Sequence, residues 1–387
     1  MKVSKVANSI EPSLTRKLFN MAKAYDDVID LTLGDPDVPP LESIRQAACD
    51  AIMAGKLRYS ANAGLPVLRD VIAKNYKRET GIEIDSMKNV AVTVGGMEAL
   101  YLTFMAMIDE GDEVIIFAPY YVNYKQMIQM CGGIPVVIDT KEENDFIPKT
   151  EDIEKHITDK TIAIVINTPC NPTGAVYDKN SLEEIAELCK KHNLAVISDE
   201  VYCQMVYKGY KHESIALFPD MQERTIVVDS FSKRFAMTGY RIGYIIANED
   251  LITGIVKLQE NVAACAPVSS QYAAINAFEE CIDDNSMQIE FEKRRDYIYP
   301  AIKNIAGLSC AKPSATFYLF VNVKGTGLSG LDFAYKLLEK EHVAVVPGIT
   351  YGENYGDYIR IAYTMNIDKL KLAVERIERF VSSLKNM

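Results

Sequence analysis

The residues best suited to chemistry are Ser230, Ser232 and Lys233, with Arg241 eight positions beyond the lysine. The lysine lies just past an apolar run, Thr225-Ile226-Val227-Val228. Lysine is rarely buried unless it is paired or used. One use is a Schiff base with a carbonyl cofactor, whose phosphate Ser230 and the guanidinium could then hold. Taken alone, Ser230-Phe231-Ser232-Lys233 reads more readily as a surface lysine in a loop, because so short a motif recurs by chance.

Three further segments follow apolar runs in the same way. Gly95-Gly96-Met97 closes a strand candidate and opens a helix candidate. Free backbone N–H groups and the positive helix end make an anion site there. The Gly-x-Gly-x-x-Gly pattern of a dinucleotide site is absent. Asp199 after a buried run reads as a helix cap or turn residue when taken alone. Asn171-Pro172-Thr173-Gly174 reads alone as a plain turn.

The elements that must position these residues alternate. Strands are expected at 89–94, 113–117, 134–139, 161–167, 195–198, 225–229 and 241–247, and helices at 96–108, 121–130 and 181–192. Such alternation implies an α/β fold with a mostly parallel sheet covered by helices on both faces. Ile162-Ala163-Ile164-Val165-Ile166 suits a strand buried on both sides. Ligands gather at the carboxyl ends of such strands, which is where the chemical segments fall. From about residue 285 the pattern changes to a smaller α+β domain. There, helices are expected at 290–299, 331–340 and 367–384, and strands at 316–323, 343–346 and 358–362.

With 387 residues, 48% hydrophobic and 25% charged, the chain has the make-up of a soluble protein of more than one core. A net charge of −11 argues against nucleic-acid or anionic-membrane partners. No apolar run reaches the 18 residues of a membrane span, and residues 1–12 lack a signal-peptide core. The eight cysteines are scattered, as expected for reduced thiols in a cytoplasmic protein. The four histidines form no cluster, so no metal is expected.

Taken in order, these residues resemble the class I/II aminotransferases, pyridoxal-phosphate enzymes of fold type I. The likeness runs through Leu33-Gly34-Asp35-Pro36-Asp37, Tyr59 with Gly64, Gly95 to Leu100, and Pro119-Tyr120-Tyr121. It continues through Asn171 to Gly174, Ser198 to Tyr202, Ser230 to Gly243 and Arg360-Ile361-Ala362. It implies a seven-stranded, mostly parallel sheet in a large domain, 41–284, and a small domain of 1–40 with 285–387. Lys233 would carry the cofactor as a Schiff base and then shuttle a proton. Asp199 would pair with the ring nitrogen, Tyr202 and Asn171 with the ring oxygen, and Tyr121 would stack on the ring. Gly95, Gly96, Met97, Ser230 and Arg241 would cup the phosphate. Tyr59 would reach it from a partner subunit, which makes a homodimer with composite sites. Arg360 would clamp the substrate α-carboxylate, with Gly34 and Asn171 beside it.

The implied reaction passes an amino group from an L-amino acid to a 2-oxo acid, with 2-oxoglutarate as the expected acceptor. Met97 stands where some aspartate-using relatives carry a lysine, which weakens aspartate as donor and leaves Arg16 and Arg58 as other cations. An apolar or aromatic substrate also suits this pocket. A carbon–sulfur lyase would share the cofactor residues. A non-catalytic regulatory domain of the same fold is the remaining alternative, and nothing resembling a basic DNA-binding segment supports it.

Overall fold

The computed structural model describes residues 1–384. Its strands are, in chain order, β1 (Ile29–Asp30), β2 (Val90–Thr93), β3 (Glu113–Ala118), β4 (Ile134–Asp139), β5 (Thr161–Asn167), β6 (Ala195–Asp199), β7 (Thr225–Ser230), β8 (Gly243–Ile246), β9 (Ser309–Cys310), β10 (Tyr318–Asn322), β11 (Val343–Ala344), β12 (Val346–Pro347) and β13 (Tyr358–Ala362). Seven of them form one sheet in the order β2-β8-β7-β6-β5-β3-β4. Strands β3 to β7 pair in parallel, while β8 runs antiparallel to both β2 and β7. This is the mostly parallel α/β sheet that the alternating pattern implies.

The antiparallel β8 matters for the site. Its first residue, Gly243, lies opposite Thr93 on one side and Ser230 on the other. The carboxyl ends of β2, β5, β6 and β7 therefore share one edge with the amino end of β8. The residues at or just beyond those ends are Gly95, Asn171, Asp199, Lys233 and Arg241.

Strand β7 stops at Ser230 because the Ser230 hydroxyl accepts from the Ser232 N–H and caps a one-turn helix, Phe231–Arg234. Lys233 stands on that turn rather than on the strand. The helix expected from Tyr121 begins at Asn123, since Tyr120 is held in the loop by donation to the Tyr351 carbonyl.

A second layer is built from both ends of the chain. Strands β12-β13-β10-β9 form an antiparallel sheet, and β1 pairs in parallel with β11. The expected single strand at 343–346 is thus two pieces in two sheets. Val343, Ala344, Val345 and Val346 are all fully buried, so apolar pattern could not reveal where the chain crosses. The helix Leu14–Ala22 docks on this layer through Leu18 and Ala22. Complete burial of Leu18 is worth about 2 kcal/mol.

Several hydrogen bonds tie the amino-terminal loop 31–37 to the second layer. Ala362 N–H donates to the Leu31 carbonyl, and Arg294 Nη1 donates to Asp37 at 2.8 Å.

Candidate active site

The converging strand ends open into a cleft of about 420 Å³. Of the residues singled out from the sequence, Gly34, Gly96, Met97, Tyr121, Asn171, Asp199, Tyr202, Ser230, Lys233, Arg241 and Arg360 line it. Gly95 stands just behind, at the first position of the helix Gly95–Met107.

That helix has no side-chain cap at its start. Its first N–H groups are therefore available to an anion. Gly95 has φ +78°, and a Cβ there would lie 2.6 Å from Arg241 Nη2. A Cβ on Gly243 would lie 2.7 Å from the Gly95 carbonyl carbon and the Gly96 nitrogen. Only glycines let the guanidinium and the helix end close on one point. Arg241 Nη1 is steadied by the Thr238 carbonyl at 2.9 Å. Ser230 Oγ lies 2.9 Å from Ser232 Oγ. Two hydroxyls, a guanidinium and a helix N-terminus fit a phosphate monoester.

Asp199, at the end of β6, is buried. Its carboxylate accepts from Tyr124 Oη at 2.5 Å and from the Val201 N–H at 3.3 Å. Burial pushes its pKa up to about 6, although those two bonds pull the other way. Among the described residues it forms no ion pair. A cation brought against it, such as a protonated ring nitrogen, would supply the missing charge. Tyr202 Oη lies 2.9 Å from Tyr318 Oη, and its ring meets Phe317 edge-on at 5.5 Å.

Lys233 is half-buried, and Nζ donates to the Gly34 carbonyl at 2.6 Å. Desolvation pushes its pKa down to about 8, and the nearby Arg360 and Arg241 push the same way against Asp35. A neutral amine is therefore accessible near physiological pH.

Arg360, on β13, is buried between the rings of Tyr318 and Tyr351, at 4.3 and 5.3 Å. Nη1 donates to Asn171 Oδ1 at 3.0 Å and Nη2 to the Thr32 carbonyl at 2.5 Å, while the buried Nε has no partner. An unpartnered buried guanidinium nitrogen suits a carboxylate guest. Gly34 is required for a reason other than ligand approach alone, since a Cβ there would lie 1.7 Å from Tyr318 Oη.

Three placements go beyond or against the sequence reading. Tyr59 does not line the cleft of its own chain and is 91% exposed. Arg58 is exposed and absent from the cleft wall, whereas Arg16 is part of it. Met97 Sδ accepts from Tyr121 Oη at 3.2 Å and Asn123 Nδ2 at 3.1 Å, so the thioether is built into the wall.

Tyr124, Tyr318 and Tyr351 were not legible as site residues, because in a chain with 22 tyrosines none of them carries a distinguishing local signal. Ser232 stands out in the sequence beside Lys233, and the structure adds it to the cleft wall as a second hydroxyl.

The family model for class I and II aminotransferases matches residues 26–377. An aspartate aminotransferase of Pyrococcus abyssi is 40% identical over the full length of both chains. An aromatic-amino-acid aminotransferase of Thermococcus litoralis is 38% identical, again over both full lengths. The crystal structure of an aromatic aminotransferase from Pyrococcus horikoshii superposes with a TM-score of 0.90 at 39% identity, covering 96% of this chain and all of that one.

Proposed function

The chain belongs to the class I and II aminotransferases, and on that premise we propose that it uses pyridoxal 5′-phosphate to move the amino group of an L-amino acid to a 2-oxo acid. The observation that carries this reading is the union in one cleft of Lys233, Asp199, the Gly95–Arg241 cradle and Arg360. The cofactor supplies an aldehyde that exchanges amines and a ring that accepts the electrons of a broken Cα–H bond.

This chain's residues do the rest. Ser230, Ser232, Arg241 and the helix start at Gly96 hold the phosphate. Asp199, kept in place by Tyr124, keeps the ring nitrogen protonated. Tyr202 and Asn171 donate to the ring oxygen, and Tyr121 packs against the ring face. Arg360 takes the α-carboxylate as a bidentate pair. Lys233, with its amine near the pH of use, carries the proton between the substrate α-carbon and the cofactor carbon.

The substrate names borne by the relatives make aspartate or an aromatic amino acid the donor to try first, with 2-oxoglutarate as acceptor. A carbon–sulfur lyase would use the same cofactor residues, and the relatives' names favour transamination.

The working unit is proposed as a homodimer. Ile52, Met53, Leu57, Tyr59 and Val67 are all exposed along one stretch of chain, and a partner would cover them. Tyr59 would then reach the partner's phosphate cradle. Residues 41–284 are taken as the cofactor-binding domain and 1–40 with 285–387 as the small domain. The carboxyl-terminal layer's core, which also includes Leu18, Ala22, Ile29 and Leu31, favours that division. Eight free cysteines suit a reducing, cytoplasmic setting, and no helix among the described residues is long and apolar enough to cross a membrane.

The test is direct. Borohydride reduction of the protein loaded with pyridoxal phosphate should leave a phosphopyridoxyl mass on Lys233. The Lys233→Ala protein should take up cofactor without any covalent adduct. Turnover should need an added 2-oxo acid. Release of pyruvate and thiol from cystathionine without one would turn the assignment to a lyase.

A further inference from the structure

Charge counting in the cleft leaves one cation without a task. The wall carries four basic side chains, Arg16, Lys233, Arg241 and Arg360, and two acidic ones, Asp35 and Asp199. On the reading above, Arg241 faces the phosphate, Lys233 the reacting carbon and Arg360 the α-carboxylate. Asp199 answers the ring nitrogen, and Asp35 is held by Thr238 Oγ1 at 2.8 Å. Arg16 is left. Among the described residues it has no ion-pair partner, and its guanidinium carbon rests 5.4 Å from the Phe19 ring centroid.

Its position is built rather than incidental. Arg16 stands in the first turn of the helix Leu14–Ala22, where Ser13 Oγ accepts its backbone N–H at 3.3 Å. Burial of Leu18 and Ala22 fixes the helix on the carboxyl-terminal layer. Gln126 Nε2 donates to the Glu11 carbonyl at 3.3 Å, which ties the preceding segment to the helix that follows Tyr121. The cleft wall beside it is Tyr121 and Asn123 of that segment with Met97 of the helix Gly95–Met107, and it presents no positive charge. A substrate with a second carboxylate would find its only uncommitted cation, within the described wall, on Arg16.

We propose that Arg16 is a specificity residue that receives the distal carboxylate of dicarboxylic amino acids and 2-oxo acids. The inference rests on the assignment of Arg360 to the α-carboxylate. It makes the preferred substrates acidic even though Met97 cannot pair with an anion. Because Arg16 is exposed, the attraction is partly screened by salt and takes full effect only once substrate shields it from water.

The test uses the loaded enzyme with Arg16→Met and, as a control of equal charge change on the same helix, Lys17→Met, whose amine faces Tyr335. Two readouts are taken. The first is the ratio of kcat/KM for aspartate to that for phenylalanine, each with 2-oxoglutarate as the common acceptor. The second is the Kd of succinate, an unreactive dicarboxylate, against that of propionate, its monocarboxylate counterpart. Arg16→Met should raise the succinate Kd about tenfold, the size of a lost charge-assisted contact, and leave the propionate Kd within twofold. The aspartate-to-phenylalanine ratio should fall by a similar factor, through KM rather than kcat. Arg16→Lys should restore part of the loss, and Lys17→Met should cause none.

Equal weakening of succinate and propionate, or no change in either, overturns the role of Arg16. The succinate measurement needs no turnover, so it stands even if transamination fails. A wild-type protein that takes up no pyridoxal phosphate would instead remove the functional reading beneath it.

Discussion

Two polar regions of this molecule are made from adjacent residues at and just beyond the ends of the same strands, and they are satisfied in opposite ways. One is the cleft of Asp199, Ser230 and Lys233. The other is a cavity of about 490 Å³ lined by Glu200, Asp229, Arg234, Glu79 and His212. In the second, Glu200 accepts from Ser198 Oγ at 2.8 Å and Ser214 Oγ at 2.6 Å, with His212 Nε2 at 3.2 Å. Arg234 pairs with Glu79 at 2.7 Å, and Asp229 accepts from Tyr244 Oη at 2.5 Å. In the cleft, Lys233 has only a carbonyl, Asp199 only a phenol and an amide, and Arg360 keeps an idle Nε. The protein has answered most of one network with its own side chains, His212 Nδ1 alone of those named staying without a partner, and left the other for a ligand to complete.

The carboxylates report the same contrast. Burial pushes Glu200 up, yet the His212 bond and charge together with the two serines win and hold it below the ordinary value. Asp199 has no such company and is pushed up to about 6. The division is not absolute, since burial also drives Asp229 up to about 7 against the pull of Tyr244 and the Ser230 N–H.

The sharpest way to break the comparison is to cut both lysine-side neighbours. Lys233→Ala should lower kcat by about 10⁴-fold with little loss of stability, because a general base is removed and a desolvated amine disappears. Arg234→Ala should keep covalent cofactor attachment yet lower the unfolding free energy by about 2 kcal/mol, as Glu79 is stranded. Denaturant titration beside turnover separates the two. Comparable loss of kcat in both variants would mean that the regions act as one.

The carboxylate pair is the next largest test. Asp199→Asn should cost about 10²–10³-fold in kcat, the scale of a lost electrostatic partner. Glu200→Gln should hold kcat within a few-fold and lower stability by about 2 kcal/mol. Thermal melts of both variants, read with steady-state rates, decide it.

The pH profiles should diverge as well. Glu200 sits below its unfolded value of 4.5, so its stabilisation is present above that pH and is lost as pH falls through the folded value. Glu200→Gln should flatten this acid limb of the stability curve. Lys233 has the same sign in an alkaline window, as a cost relieved rather than a gain lost. The folded chain releases its proton near 8 and the unfolded chain near 10.5, so stability rises with pH between them. Acylation of Lys233 in cofactor-free protein should become half-maximal near pH 8. A midpoint near 10.5 would contradict its placement in the cleft.

The smallest effect concerns Tyr59, which belongs to neither region of its own chain. Tyr59→Phe should raise the Kd for pyridoxal phosphate about threefold, the scale of one neutral hydrogen bond at the site. Mixing it with a Lys233→Ala chain should restore tight cofactor binding in half of the mixed sites if the tyrosine acts across the dimer. Fluorescence titration of the heterodimer reads this.

How much of this was legible in sequence depended on distance along the chain. The strands at 113–118, 134–139 and 161–167 followed from apolar runs, since burial on both faces leaves a continuous hydrophobic signal. Gly95, Asn171, Asp199 and Lys233 stood out because each follows such a run. Tyr124 and Tyr318 did not, because their role comes from one hydroxyl aimed at Asp199 or Tyr202 across the fold. The split of 343–346 was hidden because both halves are equally buried.

By itself the sequence determined the sheet, the order of its chemical segments and the family, since all three are written in local pattern and residue type. Tertiary structure decided what those residues can do. It turned Asp199 toward the cleft and its neighbour Glu200 into a finished network. It set three guanidinium groups and one amine around a single cavity, and it brought Arg16 rather than Arg58 to the wall. Those outcomes depend on which groups share a desolvated space, and that is fixed only when strands distant in the chain lie side by side.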